Sequence, residues 1–294
     1  MPASAIPFSG ADVENAFPEF VVTPTSLGQG GSKIAFHAVA DGVQVVIKIL
    51  HEPFDGDVDD FDAAAVDERF VRELNGMNEI DCVNLVKVLS EPELREIGGA
   101  NHVWYLEPFY SGGTLAQKLT HGPLTLEEVT DLARGLLSAI SALWEPHRIV
   151  HRDIKPGNIV YDAQGEPVLL DLGIALYTTL SEITDSGLSS PRTDYYSSPE
   201  QFDARRSAAI DMRTDQFLIG MVLHEALTGE HPFRRMNQTA ADYFWRLENY
   251  DSSVLDRVSA PTELKDMIAR MLSATLSRRF RTIDEPIAII EGIS

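Results

Sequence analysis

The chain has a single cysteine and no long apolar run. Cys82 cannot close an internal disulfide or form a cysteine-based metal site, so we expect a small buried apolar side chain in a reducing compartment. No stretch reaches the roughly 18 apolar residues that a membrane helix needs, and the amino terminus lacks a basic region followed by an apolar one. These absences favour a cytoplasmic protein without a membrane span.

Positive charge is also scarce, since 24 lysines and arginines stand against 45 aspartates and glutamates and the net charge is −21. This charge repels nucleic acid and anionic membrane surfaces, so we expect no nucleic-acid partner. Part of the acidic excess lies in residues 55–68. The simpler interpretation is that this segment is a solvated loop, and the functional interpretation is that it docks a basic partner.

The first half of the chain carries strand patterns. Apolar and β-branched runs separated by turn signals predict an antiparallel sheet with strands at 34–39, 43–50, 85–89 and 103–106. A single helical pattern at 63–80 interrupts them. Residues 1–24 contain four prolines, which predict an irregular extension rather than a helix.

The second half of the chain carries helical patterns. Apolar residues recur at helical spacing from Val129 to Leu143, and again at 216–227 and 264–272. Two short apolar runs, 159–161 and 168–170, flank Asp162-Ala163-Gln164-Gly165 and predict a hairpin. The order of the patterns therefore predicts a β-rich part followed by a larger helical part.

The segment with most chemistry is His151-Arg152-Asp153-Ile154-Lys155-Pro156-Gly157-Asn158. Asp171-Leu172-Gly173 follows it beyond the hairpin, and Val45-Val46-Ile47-Lys48 precedes it. Phosphoryl transfer requires aligned oxygens, a base and cations that neutralise phosphate, and this set of acids, cations and an amide suits it. The three motifs resemble the catalytic loop, the metal-binding turn and the nucleotide-anchoring strand of the eukaryotic-type serine/threonine protein kinase family.

This resemblance implies an α+β, bilobal fold. Residues 1–24 are expected to be an N-terminal extension and 25–294 the kinase domain, with a small β-rich N-lobe containing one helix at about 25–107 and a larger, mainly helical C-lobe at about 108–294. The implied activity is transfer of phosphate from ATP, with Mg²⁺, to a serine or threonine hydroxyl of a protein substrate.

The resemblance assigns the catalytic loop its roles. Asp153 is the base that accepts the substrate hydroxyl proton, and Lys155 reaches the γ-phosphate. Asn158 and Asp171 hold Mg²⁺, because hard oxygen donors suit a hard cation. Arg152, directly before the base, is a candidate to pair with a phosphate on the activation segment, and a segment that is ordered without phosphate is the alternative.

Lys48 is implied to bind the α- and β-phosphates, and it needs a carboxylate that holds it extended. Glu73, on the predicted helix, is the expected partner, with Glu68 and Glu79 as alternatives.

Leu27-Gly28-Gln29-Gly30-Gly31-Ser32-Lys33 resembles the family's glycine-rich loop, whose backbone approaches phosphate closely. Lys33 stands where the family has its third glycine, and Gly31 adds a flexible site. We expect Lys33 either to contact phosphate or, more simply, to point into solvent. The apolar slot for the purine is expected to be lined by Leu27, Ala35, Val46, Val160 and Leu170.

The segment before Ser111-Gly112-Gly113 is implied to bind the adenine edge. In one register Glu107 guards the back of the pocket, Pro108 supplies a carbonyl and Tyr110 supplies an N–H. In the register shifted by one residue, Leu106 is the guard and Phe109 supplies the N–H.

Residues 192–200 resemble the end of an activation segment. Glu200 is expected to pair with Arg279, and Asp215 to support the catalytic loop from beneath. Candidate phosphorylation sites before this point are Thr178, Thr179, Ser181, Thr184, Ser186, Ser189 and Ser190.

The sequence is compatible with two other functions. A kinase of the same fold acting on a small molecule is disfavoured by the activation segment through Glu200. A non-catalytic pseudokinase has only the imperfect glycine-rich loop in its favour.

Overall fold

The computed structural model describes residues 7–29, 33–54, 80–171, 176–177, 195–202 and 210–293. The chain divides into two compact units, one formed by Met1–Ile80 and Val86–Phe109 and the other by Asp81–Leu85 and Tyr110–Ser294. The acidic segment 55–68 and residues 63–79 of the predicted helix lie outside the described residues.

The first unit contains a five-stranded antiparallel sheet in the order β1-β2-β3-β5-β4. Its strands are β1 Val21–Gln29, β2 Lys33–Ala40, β3 Val43–Leu50, β4 Glu93–Ile97 and β5 Ala100–Pro108. Asp41 and Gly42 join β2 to β3 with φ angles of 50° and 82°. Two positive φ angles match the twist of a tight hairpin, so this aspartate-glycine pair sets the register of the central strands.

Three of the four predicted strands are confirmed as β2, β3 and β5. The strand predicted at 85–89 is wrong, because within the described residues Leu85 forms only an isolated parallel bridge with Leu169. β1 and β4 were not predicted. β1 is difficult to predict because it contains Pro24, and proline lacks the N–H that a regular ladder needs. The strand tolerates Pro24 because it lies at the edge of the sheet, where the register shifts between Val22 and Ser26.

A helix, α1 Gly10–Ala16, packs on one face of this sheet. It begins at a capping box in which the Ser9 hydroxyl accepts the Asp12 N–H and the Asp12 carboxylate accepts the Ser9 N–H. The expectation of an irregular extension is therefore wrong for this segment. The prolines at 7 and 18 lie outside the helix, where they do not break it.

Arg95 of β4 holds the end of α1 against the sheet. Its Nη1 donates to the Ala16 carbonyl at 2.8 Å, and its Nη2 lies 2.8 Å from a Glu19 carboxylate oxygen. Its guanidinium also lies 4.8 Å from the centroid of the Phe17 ring. Phe17 in turn meets Trp104 edge-to-face at 4.8 Å, so α1 belongs to the core of the first unit.

Phe17→Ala should therefore destabilise the protein by about 3–5 kcal/mol, because it removes a fully buried ring from this core. The free energy of unfolding in urea measures the effect. Val21→Ala is the control, since Val21 is 75% exposed and should change stability by less than about 0.5 kcal/mol. Equal effects of the two substitutions would show that α1 is not part of the core.

The second unit is mainly helical. Its α-helices within the described residues are α2 Leu115–Leu119, α3 Leu126–His147, α4 Met212–Thr228, α5 Ala240–Glu248, α6 Thr262–Met271 and α7 Asp284–Glu291. α3, α4 and α6 confirm the three helical patterns of the sequence. Cys82 is buried as expected, with its sulfur 3.7 Å from the Ser138 hydroxyl oxygen.

Short strands in the second unit frame the catalytic-loop motif. β6 Ile149–Val150 precedes it and pairs with β9 Leu176–Tyr177, while β7 Ile159–Tyr161 and β8 Pro167–Leu169 form the predicted antiparallel hairpin after it. The Asp162 carboxylate closes the hairpin turn, since it accepts N–H bonds from Gln164 and Glu166 at 2.9 and 2.8 Å.

Candidate active site

Asp215 holds the start of the catalytic loop. It lies in the first turn of α4 and is buried, and its two carboxylate oxygens accept the N–H groups of His151 and Arg152 at 2.8 and 2.9 Å. The supporting role predicted for Asp215 is confirmed. Gln201, which sequence reasoning missed, adds a bond from its side-chain amide to the Arg152 carbonyl at 2.9 Å.

These bonds maintain an unfavourable backbone conformation at Arg152, whose φ angle is 71°. A non-glycine residue in the left-handed region costs roughly 1–3 kcal/mol and persists only where its surroundings enforce it. The turn at Arg152 directs the chain from the buried strand β6 to the half-buried Asp153.

His151 links both sides of the loop. Its Nε2 lies 3.0 Å from the Leu170 carbonyl, which can only accept, so Nε2 carries the proton. Its Nδ1 lies 3.3 Å from the Asp153 N–H, which can only donate, so Nδ1 is bare. Burial lowers the pKa of His151 and favours this neutral ring. His151 belongs to the catalytic-loop motif, but the sequence did not predict that its ring bonds to both Leu170 and Asp153.

The structure brings together two predicted catalytic residues, Asp153 and Lys155, and the predicted metal ligand Asn158. Lys155 Nζ lies 3.0 Å from Asp153 Oδ1, and Asn158 Nδ2 donates to Asp153 Oδ2 at 2.8 Å and to the Asp153 carbonyl at 2.9 Å. Both acceptors require the nitrogen of the Asn158 amide to face Asp153. The Asn158 amide oxygen is therefore the atom that faces away from Asp153.

Asp171 follows the hairpin that starts at Asn158. The Leu170 N–H donates to the Asn158 carbonyl at 2.8 Å, which places the residue before Asp171 beside Asn158. Asp171 has a φ angle of 58°, a second strained non-glycine position in this region. An amide oxygen and a carboxylate are the hard donors that Mg²⁺ prefers, so these two residues fit the metal that the sequence implies.

In the first unit, Lys48 has a buried carboxylate partner on the neighbouring strand. Lys48 Nζ lies 3.4 Å from Glu107 Oε2, and the two side chains are 7% and 2% exposed. Glu73, the partner expected from the sequence, lies outside the described residues, as do Gly30, Gly31, Glu68 and Glu79.

Lys33 is buried, with its ammonium 5.7 Å from the centroid of the Tyr105 ring. The expectation that it points into solvent is wrong, because the strand register places its side chain on the same face as Lys48. Ala35 lies directly opposite Lys48 in this register.

The predicted purine-slot residues differ in burial. Val46 and Val160 are buried, Ala35 and Leu170 are half-buried, and Leu27 is exposed. Gly28 has open space where a β-carbon would lie. Pro108 ends β5 opposite Val45, and Tyr110 follows the strand. The two registers for the adenine-contacting residues both remain predictions.

The predicted pair of Glu200 and Arg279 is confirmed as a bidentate ion pair with N–O distances of 2.7 and 3.1 Å. Both side chains are buried, and the Thr214 hydroxyl also donates to Glu200 at 2.8 Å. Arg279 further donates to the Ser273 and Arg213 carbonyls, so its donors are directed into the interior of the second unit.

Arg279→Met should lower the free energy of unfolding by about 3–5 kcal/mol, because it leaves the Glu200 carboxylate buried without its cation. Urea unfolding measures this loss. Arg134→Met is the matched control, since its ion pair with Asp131 is exposed and is worth about 0–1 kcal/mol. Equal losses of stability in the two variants would show that the buried ion pair stabilises the protein no more than the exposed pair does.

Asp215 predicts a pH dependence of stability. Burial raises its pKa to about 7, and the backbone bonds from Arg152 and His151 offset this only in part. In the unfolded chain the carboxyl releases its proton near pH 4, roughly its ordinary pKa. Its contribution to stability is therefore full below about pH 4 and is lost as the pH rises through about 7.

Between these pH values, the free energy of unfolding of the wild type should fall on the order of 3 kcal/mol more than that of Asp215→Asn, which cannot titrate there. Urea unfolding at a series of pH values gives both curves. Parallel curves would contradict a raised pKa at Asp215.

Comparisons with known proteins agree with this geometry. The sequence profile of the protein kinase domain matches residues 22–286. The serine/threonine-protein kinase PrkC of Bacillus subtilis is 34% identical over 215 residues, which are 69% of this chain and 30% of PrkC. The probable serine/threonine-protein kinase PknB of Lactococcus lactis is 28% identical over 242 residues, which are 82% of this chain and 36% of that protein.

Among solved structures, the crystal structure of Rad53 1-466 in complex with AMP-PNP matches with a TM-score of 0.70 at 21% identity, covering 93% of this chain and 66% of that chain. This likeness confirms the predicted α+β fold class, with a β-rich first unit and a mainly helical second unit. The chain spans about a third of the length of the curated relatives named above.

Proposed function

Because the chain belongs to the protein kinase family, we propose that it transfers the γ-phosphate of ATP to a serine or threonine hydroxyl of a protein substrate. The family uses ATP and a divalent metal ion. Mg²⁺ is the metal we propose, with Asn158 and Asp171 as the residues that would hold it and neutralise phosphate charge.

The observation that carries this proposal is the cluster of Asp153, Lys155 and Asn158. A carboxylate oxygen of Asp153 contacts each of the other two side chains at 3.0 Å or less. One side chain is an acid able to take a proton, one is a cation able to meet phosphate, and one is an amide that fixes the acid. The three side chains are in direct contact with one another.

In the proposed reaction, the substrate hydroxyl oxygen forms a bond to the γ-phosphorus while the bond from that phosphorus to the β-phosphate oxygen breaks. ADP leaves with the bonding electrons, and the hydroxyl proton passes to Asp153. Lys155 offsets charge on the transferred group, and Lys48 binds the α- and β-phosphates. Glu73 is retained as a proposed partner of Lys48, and Arg152 as a proposed contact for a phosphorylated activation segment.

Several broader assignments remain proposals. We propose residues 1–24 as an N-terminal extension whose helix α1 packs on the sheet and 25–294 as the kinase domain, with β1 crossing this boundary. We also propose that the protein is cytoplasmic. Among the described residues, no helix is long and apolar enough to cross a membrane. A basic partner for residues 55–68 and the absence of a nucleic-acid partner follow from charge alone.

Asp153→Asn tests the proposal, because it keeps the shape of the side chain and removes the proton acceptor. With labelled ATP, Mg²⁺ and a mixture of serine- and threonine-containing peptides, we expect transfer to fall by about 10²- to 10⁴-fold. Asp131→Asn, at an exposed position on α3, is the control and should retain activity. The proposal fails if the wild type transfers no more phosphate than Asp153→Asn.

A further inference from the structure

Glu107 lies on the face of the sheet that also carries Lys48. Glu107 is opposite Val46 and Lys48 is opposite Tyr105 in the β3–β5 register, so the two charged residues are diagonal neighbours. Side chains in such positions share one face and are close enough for an ion pair. The distance of 3.4 Å between Lys48 Nζ and Glu107 Oε2 shows that they form one.

The Lys48–Glu107 ion pair is buried, and burial raises the free-energy cost of leaving either charge unpaired. Both side chains are less than a tenth exposed, and a buried carboxylate is costly unless a cation or several hydrogen-bond donors compensate it. Lys48 provides such a cation for Glu107. The same ammonium is the group that we assign to the ATP phosphates, so one cation faces two kinds of anion.

We propose that Glu107 is a positioning residue that competes with the phosphates of ATP for Lys48. The inference rests on the proposed function and goes beyond it, since the sequence assigned Glu107 only to the back of the base pocket. A triphosphate that approaches Lys48 meets an ammonium whose charge is already partly neutralised by a carboxylate at 3.4 Å, so the attraction between Lys48 and phosphate is reduced. Glu107 therefore weakens binding of the phosphates more than binding of the uncharged nucleoside.

The inference is tested by comparing the affinity for ATP with the affinity for adenosine. Calorimetric titration of the full chain with ATP and, separately, with adenosine measures both affinities without any transfer reaction. In Glu107→Gln, which retains the size of the side chain and removes its charge, the affinity for ATP should rise about tenfold relative to the affinity for adenosine. The ratio of the two affinities separates a charge effect at Lys48 from a change in pocket shape, which would alter both ligands equally.

The matched control is Glu96→Gln on β4, which removes the same charge from an exposed position of the same sheet. It should leave both affinities within about twofold of the wild type. In a Lys48→Met background, Glu107→Gln should no longer raise ATP affinity, because the competition acts through Lys48. If Glu107→Gln does not fold, Glu107→Asp replaces it, since a shorter carboxylate withdraws from Lys48 and should also strengthen ATP binding.

Unchanged or weaker ATP binding in these variants would overturn the inference, as would equal shifts for ATP and adenosine or a full effect in the Lys48→Met background. Failure of the proposed function is a separate result, because it appears as transfer that does not depend on Asp153.

Discussion

The two hydrogen bonds that Asp215 accepts from His151 and Arg152 are the constraint on which the candidate site depends. They fix the strained backbone at Arg152 from the first turn of α4, the helix whose residues are almost all buried. Asp153 follows directly, and its carboxylate then meets Lys155 and Asn158. The candidate site of the second unit is thus held in place by hydrogen bonds to the core of that unit.

In the first unit, two lysines are buried on one face of the sheet. Its sheet buries Lys48 beside Glu107 and Lys33 beside the Tyr105 ring on one face, while α1 and an apolar core cover the opposite face. An apolar cover over one face anchors the strands and so fixes where the charged residues of the other face lie. Arg95 contributes to this arrangement because it holds the end of α1.

Two long-range predictions were confirmed, the Glu200–Arg279 pair and the support of His151 by Asp215, and both came from the family resemblance. The other features that the sequence predicted well are local. The catalytic loop, the hairpin after it and the helix bearing Asp215 each depend on residues close together in the chain, and their motifs carry the necessary information. The errors involve contacts between distant residues. α1 is held by Arg95, which is 79 residues beyond Ala16, and β1 contains a proline that only an edge position tolerates. Similarly, the burial of Lys33 and the pairing of Lys48 with Glu107 depend on strand register.

The central claim is that this chain forms its catalytic loop without help from substrate. Hydrogen exchange of the His151 and Arg152 amides in the nucleotide-free protein tests it directly, because both N–H groups donate to a buried carboxylate. We predict slow exchange at both amides in the wild type and fast exchange at both in Asp215→Ala. Fast exchange in the wild type, slowed only when ATP is added, would contradict a preformed loop.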